Sequence, residues 1–165
     1  MSALTAVVVA SAVASALVGG VFFAFSVFVM RASASLPPIQ GVLAMQRINV
    51  TFINALFLGT FLGTAPLFGV TAFLARHAPQ SFAWLLASFL VYLMGSVGVT
   101  MAFHVPRNNK LASLEPASAE AAAYWSVYLR EWLTWNHVRC IASLVAAATA
   151  VVAAKMKYAQ QSRAV

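Results

Sequence analysis

Long apolar runs interrupted by short polar clusters set the layout of this chain. No charged residue precedes Arg31, none lies between Arg47 and Arg76, and none lies between His77 and His104. A membrane-crossing helix takes about 20 apolar residues, so each of these three gaps accommodates one. A shorter gap runs from Cys140 to Ala154. To reach crossing length, a fourth helix must recruit residues from about Trp135 to Lys155, which draws Asn136, His137 and Arg139 into its first turns at the membrane boundary. The pattern predicts an all-α chain with one membrane-embedded domain over residues 1–165 and spans near 3–30, 48–76, 81–104 and 135–157.

The connections refine this layout. Pro37-Pro38 marks a turn, after which a second helix is expected from near Ile39 to about Arg76, with an amphipathic lead carrying Gln46, Arg47 and Asn49 and a kink at Pro66. His77 to Gln80 reads as a tight turn, and Val105 to Pro116 as a polar loop. Pro116 then opens an Ala/Glu-rich helix whose Trp125, Tyr128 and Trp132 read as an interfacial aromatic stripe before the fourth span. Gly59 with Gly63, and Gly95 with Gly98, suit close helix contact inside the bundle or between copies of a homo-oligomer. The expected architecture is a four-transmembrane-helix antiparallel bundle with an interfacial helix before the fourth span. Ala14-Ser15-Ala16 resembles a signal-peptide cleavage site. The first segment is nonetheless expected to be retained, because no positive charge precedes it and the apolar run continues to Phe25.

Composition agrees: 62% of residues are hydrophobic and 8% charged, against about 25% charged in soluble domains. The net charge of +7 arises from ten basic residues against Glu115, Glu120 and Glu131, with no Asp. The basic residues punctuate the ends of apolar runs, as lipid headgroup anchors do, and form no clustered face for nucleic acid. The end bearing both termini carries four basic residues and no acid; the other carries six basic residues and the three acids. Cytoplasmic termini in a bacterial plasma membrane are the expectation. The single cysteine, Cys140, excludes an intramolecular disulfide and a CxxC pair.

Antiparallel topology brings the end of span one, the start of span two, the end of span three and the start of span four to one membrane face. Arg31, Gln46, Arg47, Asn49, Asn54, His104, Arg107, Asn108, Asn109, Trp135, Asn136, His137 and Arg139 share that lip. Polar groups there are costly unless paired or wet, so the cluster is a candidate site. Arg31 reads as a headgroup anchor, Arg47 equally as anchor or site residue, Asn108 and Asn109 as turn formers after Pro106, and His104 as a structural imidazole. His137 and Arg139 stand out, because the short fourth gap forces them close to membrane depth. No carboxylate pair lies within the spans, which leaves paired-acid hydrolysis and ion-coupled transport without a carrier. A metal site would need His104 and His137 with Glu131 or Cys140, and no HxxxH or HxxE spacing supports one; two histidines from neighbouring spans could hold a haem, which stays open. What the inventory suits is an imidazole base flanked by Arg, Asn and Trp donors, able to deprotonate an acidic carbon and stabilise the oxyanion. A non-enzymatic lipid or quinone binder, or a small subunit of a larger assembly, is the competing reading, with His137 and Arg139 holding headgroups.

Three segments carry a resemblance to a known family: Gly20-Val21-Phe22-Phe23-Ala24-Phe25-Ser26, His104-Val105-Pro106-Arg107-Asn108-Asn109, and Trp132-Leu133-Thr134-Trp135-Asn136-His137-Val138-Arg139. They resemble the anthrone-oxygenase-like small membrane proteins, over nearly the whole chain. The resemblance implies a four-span protein and, from some fungal members, oxidation of a polyketide anthrone to an anthraquinone by molecular oxygen. By motif matching, Asn108, Trp135, Asn136, His137 and Arg139 are the characteristic polar residues. On that footing His137 is expected as the base and Arg139 and Asn108 as oxyanion donors. Trp135, Asn136, Arg47, Asn54 and His104 are expected to contact a flat hydrophobic substrate arriving from the bilayer, with no cofactor required.

Overall fold

The structure, a computed structural model, describes residues 3–162, with side chains described through residue 156. Of the four basic residues at the end bearing both termini, Arg163 and the side chain of Lys157 lie outside the described residues. Five helices account for the fold: α1 (Ala3–Ala34), α2 (Pro38–Thr51), α3 (Ala55–Leu74), α4 (Pro79–Ala112) and α5 (Ala119–Ser162). No strand occurs among the described residues. Four of these helices, α1, α3, α4 and α5, are long and apolar enough to cross a membrane. They form a square in which α1 and α4 each pack against both α3 and α5.

Lipid tails give helices no hydrophobic reason to associate, so small side chains and interhelical hydrogen bonds take over. Ala142, Ala146, Ala150 and Ala153 give α5 a buried face of small residues. Beside them Ser15 Oγ donates to the Ser143 carbonyl at 2.7 Å, Ser96 and Ser143 share a 3.1 Å hydroxyl contact, and Ser88 and Thr149 one of 2.7 Å. Tyr92, fully buried, donates to the Phe61 carbonyl at 2.9 Å.

Three expectations are corrected. The second helix is interrupted at residues 52–54, where Asn54 takes extended backbone and accepts from Phe57 N at 2.9 Å, so that α2 is separate from the span α3. Residues 105–112, expected as loop, continue α4. A π-turn over Thr100–His104 widens the helix immediately before Pro106, whose ring and missing N–H a regular α-turn accepts poorly. The interfacial segment is not a distinct helix. It begins after Ser118, whose Oγ accepts from Ala121 N at 3.0 Å, and runs unbroken into the fourth span. The resulting 44 residues extend about 66 Å at 1.5 Å per residue, roughly twice the hydrocarbon thickness, and Glu120, Arg130 and Glu131 mark the first turns as the polar end that exceeds a span.

Those first turns carry a small domain-like cap. Trp125, Tyr128 and Trp132 are 4%, 0% and 5% exposed, packed against Met30 of α1, Val42 and Met45 of α2 and Leu111 of α4. The stripe therefore faces protein rather than lipid headgroups. Gly41 permits the contact: a Cβ there would stand 2.7 Å from Trp125 Cζ2. Gln46 Nε2 donates to the carbonyls of Leu111 and Leu114 at 2.9 and 3.0 Å, satisfying acceptors that the end of α4 leaves open.

Candidate functional site

Where the cap meets the square of spans, a cavity of about 310 Å³ opens. Its apolar wall combines aliphatic side chains such as Ile48, Ile53 and Leu58 with aromatic ones, Phe22 and Phe25 of α1, Phe57 and Phe61 of α3 and Trp132 of α5. Its polar groups are Gln46 and Asn49 of α2, Thr100, His104, Asn108 and Asn109 of α4 and Arg139 of α5. Two π-turns, Phe25–Val29 in α1 and Thr100–His104 in α4, lie at this level, and each supplies lining residues.

Arg139 is 6% exposed, and no carboxylate pairs with it among the described residues. Nη1 donates to Thr100 Oγ1 at 3.1 Å and Nη2 to Asn136 Oδ1 at 2.7 Å, while Nε has no partner. The guanidinium carbon lies 4.1 Å from the Phe22 ring centroid and 5.3 Å from that of Trp132. Two neutral oxygens and two π-faces stabilise this cation without neutralising it. A full positive charge thus remains available to the cavity.

His104 is 1% exposed and stands edge-on to Trp132, ring centroids 4.9 Å apart. Neither ring nitrogen meets hydrogen-bonding geometry with a partner; the backbone of Val99 and Trp132 is near but outside that geometry. Buried imidazoles are ordinarily satisfied; here the ring lines the cavity while both nitrogens lie just beneath its surface without a partner. Asn108 Oδ1 accepts from Tyr128 Oη at 2.8 Å and from Trp132 Nε1 at 3.1 Å. Two donors on one oxygen fix the amide orientation and leave its N–H₂ to give hydrogen bonds.

The structure unites only part of the expected site. Arg139, Asn108 and His104 line one cavity, whereas His137 is exposed and is not among the lining residues. At about 100° per residue, His137 points roughly 200° around α5 from Arg139. His104 and His137 accordingly do not face a common centre where they could flank a haem. Trp135 stacks on Phe103, centroids 3.4 Å apart, away from the cavity. Asn136 is fully buried behind Arg139, its Nδ2 donating to the Phe22 carbonyl and Ser26 Oγ. Arg47 is exposed, and Asn54 commits both ends of its amide to backbone at the start of α3. Glu131 pairs with Arg107 at 2.8 Å, and Cys140 is buried against the Gly19 carbonyl. No group of three or more His, Cys, Asp or Glu side chains that could hold a metal occurs among the described residues.

Trp132, Thr100 and the phenylalanines Phe22, Phe25, Phe57 and Phe61 are among the site residues that sequence reasoning missed. The signal for Trp132 was present: positions 125, 128, 132, 136 and 139 recur at helical spacing of three and four. Read as one uninterrupted helix, that period puts the aromatic stripe and Arg139 on one face and His137 on another.

A family model described as anthrone oxygenase matches residues 44–149. The match spans every cavity residue named above except Phe22 and Phe25 of α1. No match to the chain was found among curated proteins or among solved structures.

Proposed function

The chain belongs to the anthrone oxygenase family, and on that premise we propose that the cavity oxidises the acidic ring methylene of a flat, hydrophobic phenolic or polyketide substrate with molecular oxygen. The observation that carries the reading is the pairing of an uncompensated buried cation, Arg139, with an unpartnered imidazole, His104, on one aromatic-walled cavity.

His104 takes one proton from the methylene, leaving an anion whose charge is delocalised onto the substrate oxygen. Arg139 and the Asn108 amide stabilise that oxyanion; preorganised donors of this kind act where charge develops, in a site that excludes water. Phe22, Phe25 and Trp132 hold the ring system flat. The electron-rich anion passes one electron to O₂, and the two radicals combine at carbon as a hydroperoxide. Loss of the second C–H proton with cleavage of the O–O bond gives the carbonyl and water. The sum is CH₂ + O₂ → C=O + H₂O, with no external reductant and, as proposed, no cofactor.

The test is purified protein in phospholipid vesicles with anthracen-9(10H)-one and O₂, following anthraquinone absorbance and oxygen uptake against the spontaneous rate. Wild-type turnover above that rate, lost in His104→Ala, is the expected result. A wild type no faster than buffer removes the reaction. Tight binding of anthraquinone without turnover would instead assign a quinone binder.

A further inference from the structure

A second concavity, about 470 Å³, lies between α1 and α3 at the same lip of the bundle. Its outer wall is Leu17 of α1 and Leu56 of α3, 61% and 82% exposed within spans, hence turned to lipid. Three polar side chains touch it, and each is committed to backbone. Thr51 Oγ1 donates to the Arg47 carbonyl and Thr60 Oγ1 to the Leu56 carbonyl, each at 2.9 Å, while the Asn54 amide closes the break between α2 and α3. An occupant of this groove meets carbon and spent donors, whereas an occupant of the first cavity meets Arg139, His104 and Asn108.

Phe52 and Phe57 line both concavities. Their rings meet edge-on with centroids 4.7 Å apart, Phe52 within the interruption at residues 52–54 and Phe57 in the first turn of α3. Phe25 backs Phe52 at 5.2 Å and Phe61 backs Phe57 at 5.9 Å. These two half-buried side chains beside a helix break form a partition between the two concavities, and rotamer changes of such rings are fast and need no backbone rearrangement.

Resting on the reading above, we infer that this groove is a bilayer-facing subsite for the apolar part of the substrate, an aromatic edge or alkyl substituent. Substrate reaches the reaction cavity by passing between Phe52 and Phe57. A compound dissolved in hydrocarbon then travels from lipid to guanidinium without crossing water. Its apolar end stays in a donor-free groove while its oxygen enters the donor-rich cavity.

The experiment places a photoreactive benzophenone amino acid at Leu56 and, as control, at Leu62, which is 48% exposed on the same helix and outside the groove. The full chain in phosphatidylcholine vesicles is irradiated with a 2-alkylanthraquinone as probe. Position 56 should capture the probe at least about tenfold more than position 62, with capture suppressed by excess anthraquinone, the selectivity expected of a site about 1.4 kcal/mol better than lipid. Equal capture at both positions, or capture of phospholipid unaffected by competitor, overturns the inference. Val21→Trp, which fills the groove from α1, should lower kcat/KM for a vesicle-dissolved alkylanthrone about tenfold; an undiminished value also overturns it. The two readings fail separately. Selective capture without anthrone oxidation removes the reaction and leaves the subsite, and oxidation without selective capture does the reverse.

Discussion

Asn136 stands directly behind Arg139, its Oδ1 accepting from Nη2 at 2.7 Å while its own Nδ2 is anchored on the Phe22 carbonyl and Ser26 Oγ. A neutral amide in this place orients the guanidinium without cancelling its charge. A carboxylate there would complete an ion pair and leave nothing for a ligand. The polar chemistry of the cavity turns on that choice of residue, because the three acids of the chain all lie elsewhere.

Arg139→Met therefore separates function from folding. Methionine keeps an unbranched stem out to about the position of Nε, and replacing buried charges with well-packed apolar side chains is often neutral or stabilising. Against that, Asn136 Oδ1 and Thr100 Oγ1 lose a donor, at about 1–3 kcal/mol for unsatisfied buried groups. The expected outcome is a thermal midpoint in detergent close to wild type, with anthrone turnover lower by about 10²–10³. A variant that unfolds outright would make Arg139 a structural cation, and one that turns over normally would remove it from the mechanism.

The two histidines of the lip should behave oppositely. His104→Ala removes the imidazole on the cavity wall and is expected to lower kcat by about 10²–10⁴, the range for loss of a general base. His137→Ala alters an exposed position outside the cavity and should leave kcat within about twofold, since surface substitutions away from such features change little. Parallel rate measurements on both proteins decide between them. A large loss confined to His137→Ala would return the base to α5.

Most of the fold was legible because charge gaps of crossing length allow only one element, and their alternation allows only one placement of the polar ends. The common lip of His104, Asn108 and Arg139 followed from that alone. Which side chains turn inward did not. Arg139 and His137 are two residues apart, and charge gaps fix depth along a helix but not rotation about it. The rotation is set by packing of Trp125, Tyr128 and Trp132 against α2, and α2 itself was hidden inside what read as one long second helix. The π-turns at Phe25 and Thr100 were likewise invisible, since nothing in local propensity marks an extra residue in a turn.

Cap and bundle should respond differently to methyl groups. Gly41→Ala drives a Cβ to within 2.7 Å of the Trp125 ring, and overpacking of this kind costs about 1–3 kcal/mol. Gly59 and Gly63 have nothing within 4 Å of an added Cβ. Alanine at either is expected to be neutral or to stabilise by up to about 1 kcal/mol through helix propensity. Thermal unfolding of the three variants in one detergent gives the comparison. Destabilisation at Gly63, accompanied by a smaller particle in native mass spectrometry, would show a second copy seated against that face.

Asn108 offers the last and most specific test, because two donors hold its amide in one orientation. Tyr128→Phe removes the 2.8 Å bond and leaves Trp132 Nε1 on Oδ1 at 3.1 Å. One remaining donor still fixes the amide, so this variant should lose about 0.5–1.5 kcal/mol of stability and a correspondingly small part of its rate. Trp132→Phe keeps a ring on the cavity wall and should act similarly. With both changes the amide is free to turn its oxygen towards the substrate, where an oxyanion would meet an acceptor in place of a donor. The double variant should therefore fall below the product of the single rates, with a coupling of about 0.5–3 kcal/mol. Asn108→Asp makes the same point chemically: its carboxylate can accept from Tyr128 and Trp132 but gives nothing to an oxyanion, so folding should persist while turnover falls about 10²–10³. Strict additivity in the cycle, together with full turnover by Asn108→Asp, would show that the amide packs the cavity wall and takes no part in the reaction.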